Sequence, residues 1–412
     1  MVNGAKFFRV HKVPMLGNPG TGHVIGLSAD EVIAAQAFAT GSATLEEVAC
    51  ANVDLAEQMR QGGYSDEAPV GVRSAYLHVT HRCNLRCEGC YSWEGHRNRR
   101  PDPTLAQLEC ALRFLAQQGA DEVNISGGEP FLRDDLPSVL EAAAVECGIP
   151  SVNVLTNGTV LDELLLETCA PFVSMVSVSF DGASADDAAW VRGEQRFDAL
   201  VSFVRAAQKA GMSVCITPTL HRGNVEDIPR YLALADNLGT DVGFSLLSVG
   251  SAGGVRRELL PCEGDLRRLA ELMLEAAETG GSPAVDSLAC RLACRENCGA
   301  GITSLSVAAD GSVYPCHMMH DDRFLMGNAF AGNGPARKDR EAVAARVHAW
   351  DAESACHSCE YRWLCGGGCR ARAIGSQTRE DPYCETHRAF FSGVFDQIEQ
   401  QLTKEEDHAV SH

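Results

Sequence analysis

Eight residues, Cys83 to Cys90, hold three cysteines spaced C-x3-C-x2-C, directly behind the apolar run SAYLHVT at 74–80. Few chains crowd thiols this way, and the crowding limits what the loop can be for. Three thiolates on one tight loop can hold three irons of a four-iron cluster, leaving the fourth iron open to a substrate or cosubstrate. A structural zinc would want a fourth ligand, for which His81 is available. The plainest alternative is packing, because cysteine is a common buried residue.

The loop's setting argues for chemistry. From Ser74 to about Leu247 short apolar strands alternate with amphipathic helices. The strands are read at 74–80, 122–126, 151–155, 175–180, 213–218 and 242–247, and the helices at 104–118, 135–147, 162–168, 197–210 and 225–238. Such alternation builds a parallel sheet, and six units suit an α/β partial (β/α)6 barrel open on one side. Parallel folds place chemistry at the carboxyl ends of their strands, where the cysteine loop would lie. After the second strand comes Ser126-Gly127-Gly128-Glu129-Pro130, whose glycines allow close approach to a ligand. Thr156-Asn157-Gly158, Ser179-Phe180-Asp181-Gly182 and Arg192-Gly193 fall at later strand ends.

The chain has 18 cysteines in 412 residues. Its N-terminus, MVNGAKFFRVHKVP, lacks the apolar segment of a signal peptide, and no apolar run is long enough for a bilayer. A cytoplasmic chain is expected, with its thiols serving metal or redox chemistry instead of disulfides. Cys50, Cys110, Cys147, Cys169, Cys215 and Cys262 stand singly and read as small packed side chains; the others cluster. A net charge of −20 argues against broad nucleic-acid binding.

Five segments are expected. Residues 1–70 form a small α+β unit, with an extended run at 6–13, a Gly/Pro turn, a short strand at 23–27 and helices at 30–38 and 44–60. The barrel takes 71–250, a linker with a helix at 263–278 takes 251–297, a cysteine-rich domain takes 298–400, and a helix at 385–402 runs into a frayed tail, 401–412.

CNLRCEGCY resembles the cluster loop of radical S-adenosylmethionine (SAM) enzymes, and SGGEP resembles their GGEP motif. The resemblance implies a [4Fe-4S] cluster on Cys83, Cys87 and Cys90 with one open iron. It also implies SAM held by Ser126, Gly127, Gly128 and Glu129 at its amino group, by Ser179 at its ribose and by Arg192 at its carboxylate, with Asn157 nearby. Hydroxyls and a guanidinium fork suit those groups. Relatives carry an aromatic residue just before the third cysteine; here Gly89 stands there and Tyr91 lies just beyond.

The C-terminal spacing Cys298-x12-Gly311-x4-Cys316, then Cys356-x2-Cys359-x5-Cys365-x3-Cys369 and Cys384, resembles the seven-cysteine SPASM domain. That family carries two auxiliary iron–sulfur clusters. Carried over, Cys298, Cys316 and Cys369 hold the first, with Cys294 or Cys290 as fourth ligand, and Cys356, Cys359, Cys365 and Cys384 hold the second. C-x2-C followed by C-x3-C is also zinc-ribbon spacing. SPASM enzymes mostly modify peptides or proteins, with electrons from a flavodoxin or ferredoxin.

The first expectation is therefore maturation of a ribosomal peptide by a thioether or carbon–carbon link. The strands and helices of 1–70 loosely resemble a leader-peptide recognition element, and capping the next domain is the alternative. A sulfatase-maturating enzyme is a second reading, although its relatives carry Asp where this chain has His317, a candidate base. A cofactor-pathway enzyme is a third. A non-catalytic iron–sulfur or zinc protein is the competing class, for which SGGEP has no use.

Overall fold

The structure is a computed structural model, and it describes residues 4–66, 71–92, 97–249, 255–278, 288, 290–331, 334–349, 354–375 and 380–410. Part of the expected linker lies outside them.

The N-terminal unit is an antiparallel three-stranded sheet, β1 (Lys6–Val10), β2 (Val13–Gly17) and β3 (Val24–Gly26), beside helices α1 (Val32–Ala39), α2 (Leu45–Ala51) and α3 (Val53–Gln61). The expected run at 6–13 is instead a hairpin that reverses at His11, which takes φ +50°. His11 is held there by the C-terminal region: its N–H donates to Glu360 and its ring meets the Tyr361 hydroxyl at 3.0 Å. The expected helix at 44–60 breaks at Asn52, whose side chain accepts the Leu55 N–H and caps α3. Leu16, Ile25, Phe38, Leu55 and Met59 give the unit a core of its own, while Phe8, Val10 and Met15 join the main core.

Among the described residues the main sheet has ten strands. Its parallel body is β4 (Ser74–Thr80), β5 (Glu122–Gly127), β6 (Ser151–Thr156), β7 (Met175–Phe180) and β8 (Val214–Leu220), hydrogen-bonded in chain order. The strand expected at 242–247 is split into β9 (Asp241–Val242) and β10 (Ser245–Leu246), both parallel to β8. On the opposite edge the sheet continues past the barrel. β11 (Ser304–Val307) pairs in parallel with β4, and β12 (Ser312–Tyr314) and β13 (Gly327–Asn328) follow antiparallel. The cysteine-rich region is thus hydrogen-bonded into the barrel's own sheet. The C-terminal helix, Cys384–Val410, continues past the 402 expected for it and buries Phe390, Phe391 and Phe395 in the main core.

Period-two alternation explains the barrel's interior. Val176, Val178 and Phe180 of β7, and Val214, Ile216 and Leu220 of β8, belong to the buried apolar core. The alternate residues Ser177, Ser179, Cys215, Thr217 and Thr219 line a cavity instead. Polar side chains do not close-pack into a dry core, so the barrel encloses space.

Candidate functional site

That space is a cavity of about 1270 Å³. Cys83, Cys87 and Cys90 line it from the loop after β4, and each thiol lies close enough to the others for its charge to act on them. Burial pushes the Cys83 and Cys87 thiols above their ordinary range, Cys87 to about 11. Cations and amides offset this. The Arg97 guanidinium donates to Cys90 Sγ at 3.2 Å, to Ser92 Oγ at 2.7 Å and to the Leu85 carbonyl. Asn98, at φ +61°, clamps Cys83 from both sides: its amide oxygen accepts the Cys83 N–H and its amide nitrogen donates to the Cys83 carbonyl. Neither Arg97 nor Asn98 was singled out from the sequence. Three thiols on one wall with a guanidinium donating to sulfur fit a cluster that carries negative charge.

SGGEP meets this loop through the backbone. Gly128 and Glu129 donate their N–H groups to the carbonyls of Thr80 and Arg82. A Cβ on Gly128 would come within 1.9 Å of the Arg82 oxygen, so no other residue allows the approach. Ser126, Gly127 and Gly128 line the cavity. Glu129 is fully buried and accepts from Thr156 Oγ1 (2.8 Å), Asn157 N (2.8 Å) and Phe131 N (3.1 Å). Its carboxylate thus ties the loop after β5 to the loop after β6. Burial pushes it up to about 7 against those three donors.

Asn157, Ser179 and Arg192 also line the cavity. Asn157 points an amide N–H toward Cys83 Sγ at 3.8 Å. Arg192 donates to the Phe180 carbonyl at 3.0 Å, and its charge acts on Cys87. Gly89 adopts φ +62°, and a Cβ there would meet Leu247 at 2.9 Å and Val255 at 3.0 Å. A side chain at this position would be strained and would have to push both neighbours aside. Tyr91 lines the cavity in its place, its hydroxyl 2.6 Å from Ser126 Oγ.

The C-terminal cysteines fall into two groups. Cys298, Cys316 and Cys369 act on one another electrostatically, and Cys298 and Cys369 line the main cavity. Cys356, Cys359, Cys365 and Cys384 surround a small second cavity. Gly366, Gly367 and Gly368, all at φ near +70°, turn the backbone between the groups; Cys369 lines the main cavity, whereas Cys365 lines both cavities. Asp381 accepts the Cys369 N–H and is forked by Arg372, fixing that turn. Cys294 is packed elsewhere: a Cβ on Gly17 of β2 would lie 2.5 Å from its sulfur. Cys290 is fully buried and lines neither cavity. Among the described residues, no three His, Cys, Asp or Glu side chains are disposed around a single metal ion.

His317 lines the main cavity, stacked on Tyr76 at 3.9 Å and meeting the edge of Tyr91 at 4.9 Å. Burial, then the neighbouring His320, lowers it to about 3.

Residues 77–235 match the family model described as the radical SAM superfamily. The chain is 31% identical to the mycofactocin maturase MftC of Mycobacterium ulcerans over 309 residues, covering 71% of this chain and 81% of that one. It is 30% identical to the PqqA peptide cyclase of Xanthomonas oryzae pv. oryzae over 334 residues, covering 76% and 87%. The fold is similar to Streptococcus suis SuiB bound to S-adenosylmethionine, with a TM-score of 0.60, 17% identity, and 90% and 96% of the two chains covered. No helix among the described residues is long and apolar enough to cross a membrane. With cluster loop, SGGEP and the C-terminal cysteines Cys298 and Cys369 opening on one polar barrel, and with relatives at this identity, the chain belongs to the radical SAM superfamily, as an enzyme of its SPASM-bearing branch.

Proposed function

We propose that this enzyme modifies a ribosomally made precursor peptide by hydrogen-atom abstraction, forming a thioether or carbon–carbon link. The carrying observation is that Cys83, Cys87 and Cys90, the SAM-side residues Ser179 and Arg192, and the SPASM thiols Cys298 and Cys369 all open on one cavity. The relatives named as a peptide maturase and a peptide cyclase support a peptide substrate, as does a SuiB structure containing its precursor peptide SuiA.

A [4Fe-4S] cluster on Cys83, Cys87 and Cys90 would supply the electron for reductive cleavage of SAM, the chemistry that makes hydrogen abstraction from the substrate possible. The chain's own residues do the positioning. Arg192 offers its guanidinium to the carboxylate, Ser179 its hydroxyl to the ribose, and Gly127 and Gly128 bare backbone to the amino group. Glu129 acts from behind, holding that backbone in place. His317 is committed to stacking, so we assign it shape at the cavity wall ahead of proton transfer.

We place auxiliary clusters on the two C-terminal thiol groups, the first held by Cys298, Cys316 and Cys369 with neither Cys290 nor Cys294. Residues 4–66 form a compact unit whose sheet ends in the edge strand β3; we assign it the peptide's leader, by strand addition. A flavodoxin or ferredoxin in the cytoplasm, where thiols stay reduced, is the electron source that fits.

The test is anaerobic incubation of reconstituted protein with dithionite and SAM. 5′-Deoxyadenosine above a Cys83→Ala/Cys87→Ala/Cys90→Ala control is expected. With the peptide encoded beside the gene, a mass loss of two hydrogens per link is expected. No 5′-deoxyadenosine sinks the radical chemistry; 5′-deoxyadenosine without a mass change in any neighbouring peptide sinks the substrate assignment.

A further inference from the structure

The two C-terminal thiol groups face different charges. Beside the first, Arg372 lines the main cavity with Cys298 and Cys369. Its charge acts on Cys316 and interacts with Cys369, and the charge of Arg370 acts on Cys298. Arg370 is 1% exposed and the Arg372 side chain 17%. Asp381 locks Arg372 in place. Its carboxylate accepts from Nε at 2.8 Å and from Nη2 at 2.6 Å, and it also accepts the N–H groups of Cys369 and Tyr383. The guanidinium lies over the Tyr383 ring, 4.9 Å from its centroid.

The second group is set differently. Arg362 and Arg388 line its cavity against Glu380 and Asp381, so the signs balance. Arg388, the cation that acts on Cys384, is exposed, as is Glu380. Water and salt screen an exposed charge, whereas a buried one keeps its reach. Backbone donors do not separate the sites. The N–H groups of Ala300, Arg370 and Met318 reach sulfur at the first, and those of Gly367 and Gly368 at the second. Arg372 lines the main cavity and Asp381 the second, so their ion pair crosses the wall between the groups with its cation toward the first.

From this arrangement we propose that the two auxiliary clusters stand at different reduction potentials, the first being the easier to reduce, and that Arg372, held by Asp381, sets much of the gap. The proposal rests on the reading above that places a cluster on each thiol group. Reduction adds one negative charge to a cluster. A fixed cation beside it stabilises that charge, and local charge and hydrogen bonding are what move such potentials. The first cluster is also the one that opens, through Cys298 and Cys369, on the cavity shared with Arg192 and Ser179. A one-electron donor in that cavity therefore meets the easier acceptor first. Arg372 is a positioning residue in this account, acting on the thiols and not on the substrate.

The experiment is a potentiometric titration followed by electron paramagnetic resonance. It uses reconstituted full-length protein carrying Cys83→Ala/Cys87→Ala/Cys90→Ala, so that only auxiliary signals remain. Cys298→Ala and Cys356→Ala assign the two signals. The signal lost in Cys298→Ala is expected to have the higher midpoint. Arg372→Gln should lower that midpoint, the reduced fraction at a fixed poise falling about tenfold, which is about 59 mV for one electron. Arg372→Lys keeps the charge and should fall between Gln and the native residue. Asp381→Asn removes the neighbouring negative charge and should raise the midpoint. The second signal should move less in each case. Opposite shifts from the two sides of one ion pair are not what a loosened fold produces, and a variant that fails to fold leaves the others to decide. A reversed order of midpoints overturns the proposal. So does an unmoved first midpoint in folded Arg372→Gln, or shifts of the same sign in Arg372→Gln and Asp381→Asn. Absent auxiliary signals, with no iron lost in Cys298→Ala, would remove the cluster assignment itself and the proposal with it, a result distinct from an unmoved midpoint.

Discussion

The Asp181 carboxylate accepts the backbone N–H of Arg192 at 2.7 Å and that of Val191 at 2.9 Å. One buried acid thereby fixes the loop whose guanidinium reaches the cavity. Arg192 itself touches the Phe180 carbonyl, next to Asp181 in sequence, so acid and guanidinium brace the same strand end.

Asp181→Ala removes two charge-assisted bonds and leaves two N–H groups unmet, a cost of about 1–3 kcal/mol each when they stay buried. SAM affinity of the reconstituted protein should fall about tenfold or more, one decade corresponding to about 1.4 kcal/mol. Calorimetric titration checks it. Unchanged affinity would mean that Arg192 holds its place without the acid.

Cys294 and Cys298 are four residues apart in sequence, and their sulfurs have different surroundings. Cys294 sits against Gly17 in the core, and Cys298 opens on the cavity beside Cys369. Cys298→Ala should lose about four irons per chain, one cluster's worth. Cys294→Ala should keep full iron and only leave a small void. Iron and sulfide counts on the two proteins decide it; iron loss from Cys294→Ala would return that thiol to the ligand set.

Much of this arrangement could be read from residue order. β4 through β8 lie within two residues of where apolar runs placed them, because each pairs with a sequential neighbour and buries one face. The strand at 242–247 was misjudged because Gly243 and Phe244 interrupt the pairing that Val242 and Leu246 make with β8. β11 was not foreseen: Ser304–Val307 is a four-residue strand whose partner, β4, lies some 230 residues earlier. In the site, the motif residues converge because each follows a strand. Arg97 and Asn98 belong to no motif, and only folding shows that they grip Cys90 and Cys83. Glu129 carries the opposite lesson: its type suggested a ligand contact, whereas its three bonds run inward.

Glu129 also sets a pH dependence. Burial pushes its carboxyl up to about 7 from an ordinary value of 4.5. The folded state therefore holds a proton that the unfolded chain releases between those values. Its contribution to stability is fully present below pH 4.5 and is lost as pH rises through 7. Denaturant titrations of the metal-free protein from pH 5 to 8 should show this decline, and Glu129→Gln should flatten it. Gln also turns one acceptor into a donor that faces the N–H of either Asn157 or Phe131, so the variant should be less stable at every pH, by about 1–3 kcal/mol. A slope identical in both proteins would assign the titration elsewhere.

Gly89 is the remaining departure from the family pattern, and restoring the pattern should fail. Gly89→Phe would force φ +62° on a bulky residue, at a cost of about 1–3 kcal/mol. It would also drive a Cβ to 2.9 Å from Leu247 and 3.3 Å from the Ser248 carbonyl. Gly89→Ala meets both problems in smaller form, with the same Cβ and no ring. Both variants should melt earlier, Phe more than Ala, and both should reconstitute less iron at the first cluster because Cys90 is the next residue. Tyr91→Phe keeps the ring and loses only its bond to Ser126, so it should retain iron and cost about 1 kcal/mol. Differential scanning calorimetry with iron counts separates the three. Gly89→Phe with wild-type stability would show that Leu247 and Val255 yield to an aromatic ring, and that Tyr91 does not stand in for one.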